Sequence, residues 1–225
     1  MLLVISQILS PEECRRISEA AAALEWRDGR QTAGKTAALV KQNLQANLST
    51  SAGQALKTEL SAAIKRHPVF EAAARPARMS SLLISKTTNG GHYGPHLDNA
   101  LMASGEQRLR TDLSFTLALT APESYEGGEL VIQMPGTTER VKPAAGDLVL
   151  YPSTAIHEVI PVTSGERIVC VGWIQSLVRD QAAREILFDL ENLRSTLRGS
   201  LSRTSPELLT LDKSIANLIR LFASP

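Results

Sequence analysis

Residues 126–152 read EGGELVIQMPGTTERVKPAAGDLVLYP: three β-rich runs, led by Gly127-Gly128 and separated by Pro135-Gly136 and Ala145-Gly146. Short runs of apolar and β-branched residues bounded by Gly and Pro are strands joined by tight turns. The same texture extends in both directions. It predicts strands over Met79–Lys86, Thr111–Leu119, Glu129–Met134, Thr138–Lys142, Asp147–Tyr151, Glu158–Val162 and Arg167–Ile174, with further turns at Asn89-Gly90-Gly91 and Ser164-Gly165. Many short strands with closely spaced turns form a sandwich, jelly roll or small barrel.

Helical periodicity flanks this region. Ser10-Pro11-Glu12-Glu13 is a helix start, with Ser as cap, Pro at the first helical position and Glu three residues after the cap. Cys14, Ile17, Ala21 and Leu24 follow at helical spacing, and Trp26-Arg27-Asp28-Gly29 closes the element. Residues 30–50 read as loop with a short strand near Ala37–Val40, and a second helix carries Leu56, Leu60 and Ile64 before His67-Pro68. After Gln175, Val178, Ala182, Ile186, Leu190 and Leu197 fit one helix, and Thr204-Ser205-Pro206-Glu207 starts another. The expected organisation is α+β. A helical and strand segment over 1–77 packs on a β core over 78–177, and a C-terminal helical extension covers 178–225. The terminal pair covers a sheet or supplies a homo-oligomer contact.

The chain has 225 residues, with 24 Lys and Arg against 23 Asp and Glu, and aromatics make up 4%. A balance so close to neutral argues against nucleic acid as partner, and few aromatics leave little for stacking on bases. Cys14 and Cys170 form no CxxC pair and read as reduced, partly buried thiols. The start, MLLVISQILSPEE, has no basic leader and no run approaches a membrane span, so a cytoplasmic protein with no membrane association is expected.

Four histidines are present, His67, His92, His96 and His157. In an extended chain residues i and i+2 share a face, so His96 and Asp98 point to one place. His157 follows a strand and turn that can return the chain there. Two His and one carboxylate make the facial triad of non-haem Fe(II) oxygenases, leaving three positions of an octahedral ion open. Arg167, ten residues after His157, opens an apolar strand in which Arg167, Val169, Val171 and Trp173 share a face. A buried guanidinium needs a partner, and the distal carboxylate of a dicarboxylic co-substrate can accept two parallel hydrogen bonds from it; a strand-end Arg in solvent is the alternative. Gly94-Pro95 denies His92 and His96 the helical geometry of an HExxH zinc site. His67, before Pro68, reads as a helix-end residue.

His96-Leu97-Asp98, Glu126–Leu130, Pro143–Pro152, His157 and Arg167 resemble the prolyl-4-hydroxylase-like branch of the 2-oxoglutarate oxygenases. Met1–Pro11, Tyr93–Ala100 and the helical tail are similar to bacterial PKHD-type hydroxylases. The resemblance spans nearly the whole chain. It implies a double-stranded β-helix (jelly-roll) core, Fe(II) on His96, Asp98 and His157, and 2-oxoglutarate on Arg167. L-ascorbate is the implied reductant. It also implies oxidation of an unidentified small-molecule or peptidyl substrate, coupled to oxidative decarboxylation of 2-oxoglutarate, and an association with iron uptake. Tyr93 and Trp173 match aromatic positions bordering metal and substrate. Asn99 is either a support for Asp98 or a turn residue. Collagen-type prolyl hydroxylases carry Lys at the position of Arg167, so a prolyl substrate does not carry over. Val169 stands where many relatives have Ser or Thr, which leaves Ser114 or Thr116 to supply a second bond to the co-substrate carboxylate. The alternatives are a cupin-like metal-binding or sensing protein without turnover, oxidative demethylation of nucleic acid, and an oligomeric structural protein.

Overall fold

The computed structural model describes residues 1–34, 36–104 and 107–224. The Ser10 signal works as a reciprocal cap: Ser10 Oγ accepts from the Glu13 N–H and Ser10 N–H donates to Glu13 Oε2, starting helix α1, Pro11–Ala22. Helices α2 (Ser51–Arg66) and α3 (Pro68–Ala74) follow, divided where Pro68 cannot continue the ladder. His67 links them through its backbone and makes no side-chain cap. The C-terminal pair is α4 (Gln181–Leu197) and α5 (Pro206–Phe222), capped by Asp180 and Ser205. No helix among the described residues is long and apolar enough to cross a membrane.

Two antiparallel sheets form the core. The larger orders its strands Leu3–Ile5, Leu148–Pro152, Leu113–Ala118, Val162–Ser176, Leu83–Thr88, Leu44–Ala46 and Trp26–Asp28. The smaller orders Thr137–Val141, Leu130–Met134, His157–Val159, His92–His96 and Lys41–Gln42. Apart from the Leu130–Met134/Thr137–Val141 hairpin, which stays within the smaller sheet, the strands from Leu83 to Ser176 that belong to these two sheets pass from one to the other in turn, which is the jelly-roll winding. Strand period 2 sorts the two faces of the larger sheet. Ile84, Phe115, Leu117, Ile168 and Cys170 pack in one buried cluster with Ile17, Leu60, Ile64 and Phe70 of α1–α3; Phe70 meets Phe115 edge to face at 6.1 Å. Ser85, Thr87, Ser114, Thr116, Arg167 and Val169 face a cavity between the sheets.

Several local expectations need correction. Helix α1 ends at Ala22, and Trp26–Asp28 is a strand paired with Leu44–Ala46. Ala37–Val40 is a 3-10 turn, not a strand, with Leu39 84% exposed. Extended pairing begins one residue later, where the edge of His92–His96 accepts Lys41 and Gln42; Ala37-Ala38 has little strand preference of its own and, among the described residues, no partner strand to impose one. Glu158–Val162 is divided: His157–Val159 ends before Pro161, and Val162 opens a strand running to Ser176. The hairpin arms Leu101–Ser104 and Gln107–Arg110 were not anticipated.

Candidate active site

His157 opens its strand directly opposite His96, the last residue of its own, and Asp98 follows two residues beyond. One ligand atom from each of His96, Asp98 and His157 lies within 4.8 Å of the other two. The histidines are locked alike: His96 Nδ1 lies 2.8 Å from the Gly94 carbonyl and His157 Nδ1 lies 3.0 Å from the Ala155 carbonyl. A carbonyl only accepts, so each Nδ1 carries the proton and each Nε2 keeps its lone pair, the tautomer a metal ligand needs. His157 Nε2 is 3.7 Å from Asp98 Oδ2. Burial, reinforced by the neighbouring His157, pushes His96 down to about 4, keeping it neutral. The ring of Tyr93 stacks on His96 with centroids 3.5 Å apart, and Tyr151 meets the His157 ring edge-on at 5.0 Å.

Asp98 is oriented from the opposite sheet. Ser114 Oγ donates to Asp98 Oδ2 at 2.6 Å and shares a 2.7 Å bond with Ser153 Oγ. Ser114 is therefore engaged with the Asp98 carboxylate and with Ser153, where a bond to the co-substrate was expected of it. Thr116 lies on the same face and lines the cavity together with Tyr151. Asn99 accepts a bond from Thr111 Oγ1 through its backbone carbonyl, and among the described residues its side chain makes no hydrogen bond to Asp98.

Arg167 sits on the long strand opposite Thr87 and is 4% exposed. Burial depresses its pKa, offset in part by the Tyr125 and Tyr151 hydroxyls beside it. No carboxylate lies within ion-pair distance of it among the described residues. Its stem passes Gly128, which has φ +71°; a Cβ there would lie 2.9 Å from Arg167 Cδ and 3.0 Å from the Tyr125 ring. The Gly127-Gly128 turn therefore leaves the room that the guanidinium occupies. A deeply buried cation lacking an anion, facing the same cavity as the triad, fits a dicarboxylate that bridges the two.

Val169, Val171 and Trp173 line the cavity with Arg167, as period 2 requires, and Tyr93 lines it as well. Trp173 buries its Nε1 without a hydrogen-bond partner. His92 bonds the Gly90 carbonyl and His67 lies at the α2–α3 junction, both outside the triad. Sequence reasoning missed Ser153, Tyr125, Tyr151 and Lys41. The two tyrosines and the serine flank predicted strands, whereas Lys41 sits in the polar stretch read as loop and has no periodic signal.

The profile of the 2OG-Fe(II) oxygenase superfamily matches residues 82–175. A PKHD-type hydroxylase of Hyphomonas neptunium is 52% identical over 222 residues, 99% of this chain and 99% of the relative. Among solved structures, the viral collagen prolyl hydroxylase of Paramecium bursaria Chlorella virus-1 in complex with 2OG superposes with a TM-score of 0.54. It has 18% identity, covering 78% of this chain and 96% of that one. HygX of Streptomyces hygroscopicus, with nickel, 2-oxoglutarate and hygromycin B bound, has a TM-score of 0.52 and 13% identity, covering 76% and 81%. The distant structures share the jelly-roll fold; the near-full-length identity carries the rest. The chain belongs to the PKHD-type hydroxylases and is an Fe(II)- and 2-oxoglutarate-dependent dioxygenase.

Proposed function

We propose that His96, Asp98 and His157 hold the Fe(II) and that Arg167 holds the distal carboxylate of 2-oxoglutarate. One observation carries this reading. Two tautomer-locked imidazoles and a carboxylate converge in a cavity that is also lined by a buried guanidinium with no carboxylate in ion-pair reach among the described residues. Dioxygen would be the oxidant: with Fe(II) and 2-oxoglutarate bound, one of its oxygen atoms would go into succinate as 2-oxoglutarate loses carbon dioxide, and the other would oxidise a substrate C–H bond.

The chain's own groups prepare that chemistry. The Gly94 and Ala155 carbonyls fix the imidazole tautomers, and Ser114 fixes the Asp98 carboxylate. Arg167, kept dry between Tyr125 and Tyr151, orients the co-substrate so that its other end meets the metal. Tyr93 and Trp173 form walls on the substrate side. A cupin-like binding protein would need the triad and would leave Arg167 without a purpose.

In this reading residues 78–177 constitute the dioxygenase domain and L-ascorbate maintains the reduced metal. The enzyme works in the cytoplasm on a small-molecule or peptidyl substrate and not on nucleic acid, in keeping with the near-neutral charge. Leu193, Leu209 and Leu221 on the terminal helices, 48%, 69% and 72% exposed, favour a homo-oligomer through that pair.

The test is anaerobic equilibrium binding of 2-oxoglutarate. Tight binding that requires both Fe(II) and Arg167 is the expected result. Binding that is indifferent to the metal, or unchanged in Arg167→Gln, would remove the assignment.

A further inference from the structure

Lys41 is 8% exposed and lines the same cavity as the triad and Arg167. Its Nζ lies 4.9 Å from the centroid of Tyr93, the ring that stacks on His96, so the ammonium stands one side chain away from the proposed metal ligands. Its polar partner is Thr32 Oγ1, at a long 3.4 Å. Thr32 is itself committed to Gln45 Oε1 at 2.7 Å.

Both acids near enough to influence this ammonium are engaged elsewhere. Asp28 is bonded by Arg30 through backbone and side chain, and Asp98 receives Ser114 and faces His157. No carboxylate lies within ion-pair distance of Lys41 among the described residues. A buried ammonium without an anion is costly, and a cation–π contact and one long hydrogen bond repay only part of that cost. A metal cation at the triad would add repulsion. The site is completed by a negative charge arriving with a ligand.

We propose that the primary substrate carries a carboxylate, bound by Lys41 beside the Tyr93 ring, while Arg167 serves the co-substrate. This rests on the oxygenase assignment above and supplies its substrate class. A monoanion matches the one ammonium and its neutral neighbours, Thr32 and Gln45. A phosphate dianion would call for a second cation, and among the described residues the other Lys or Arg lining the cavity, Arg167, is taken by 2-oxoglutarate.

The experiment uses the full chain with Zn(II) as an inert metal and saturating 2-oxoglutarate, so that nothing turns over. Ligand-detected NMR measures binding of N-acetyl amino acids paired with their carboxamides. Wild type is expected to prefer acids about tenfold over amides; Lys41→Gln should abolish the preference, and Lys41→Arg should restore part of it. Acids and amides binding alike, or no acid binding at all, overturns the proposal while leaving the oxygenase reading intact. A 2-oxoglutarate affinity lowered as much by Lys41→Gln as by Arg167→Gln assigns Lys41 to the co-substrate and also overturns it. Failure of 2-oxoglutarate to bind with metal present overturns the underlying reading, and this proposal with it.

Discussion

Ser114→Ala isolates the contribution of a single hydrogen bond to the metal centre. In the wild type, Ser114 Oγ donates to Asp98 Oδ2 at 2.6 Å, in a pocket where the serine is 2% exposed. A hydrogen bond to a charged group contributes about 1.5–3 kcal/mol. At about 1.4 kcal/mol per tenfold, that corresponds to a loss of metal affinity of roughly 10- to 100-fold, the range expected when the support of a ligand is removed. Anaerobic titration of the apoprotein with Co(II), followed through its visible absorption, gives Kd for each variant. A urea melt of the apoproteins separates misfolding from lost affinity. Ser153→Ala should have a smaller effect, because Ser153 reaches Asp98 only through Ser114. A Ser114→Ala protein that folds and binds Co(II) within a factor of two of wild type would refute the reasoning.

Replacing Arg167 by Gln should raise the 2-oxoglutarate concentration needed for half-maximal binding on the order of 100-fold, leaving metal affinity in place; the same anaerobic titrations report both. Gly128→Ala puts a methyl 2.9 Å from Arg167 Cδ at a φ of +71°. It should cost about 1–2 kcal/mol in stability and raise the 2-oxoglutarate requirement, with metal Kd unchanged. Both cysteines are buried, and burial pushes Cys14 up to about 11 and Cys170 up to about 12. A thiol reagent at pH 8 should label neither in the native protein and both after unfolding. Phe115→Ala removes a ring that is 1% exposed against Phe70 and should destabilise the fold by about 3–5 kcal/mol in a urea melt.

The convergence of His96, Asp98 and His157 was legible because its signal is local. His96 and Asp98 are two residues apart at a strand end, and His157 follows a run that must return to the same sheet. Arg167 was legible because it shares a face with Val169, Val171 and Trp173, where a buried guanidinium needs a partner, and its 4% exposure removes the solvent alternative. What sheet periodicity cannot supply is the identity of a cross-sheet partner. It places Ser114 on the cavity face, and only the packing of the two sheets turns that hydroxyl to Asp98. Lys41 was illegible for a further reason. A two-residue edge strand is created by the partner it meets, here Tyr93, so nothing in residues 30–50 marks it out. Trp26–Asp28 escaped in the same way, since its extended form depends on pairing with Leu44–Ala46.

The most direct measurement is oxygen-dependent succinate formation from 2-oxoglutarate by protein freed of adventitious metal and reloaded with Fe(II). Wild type should form succinate when Fe(II) and oxygen are both supplied, and Asp98→Ala, with the same fold by circular dichroism, should lose nearly all of it. Equal rates from wild type and Asp98→Ala would contradict the assignment of iron to His96, Asp98 and His157.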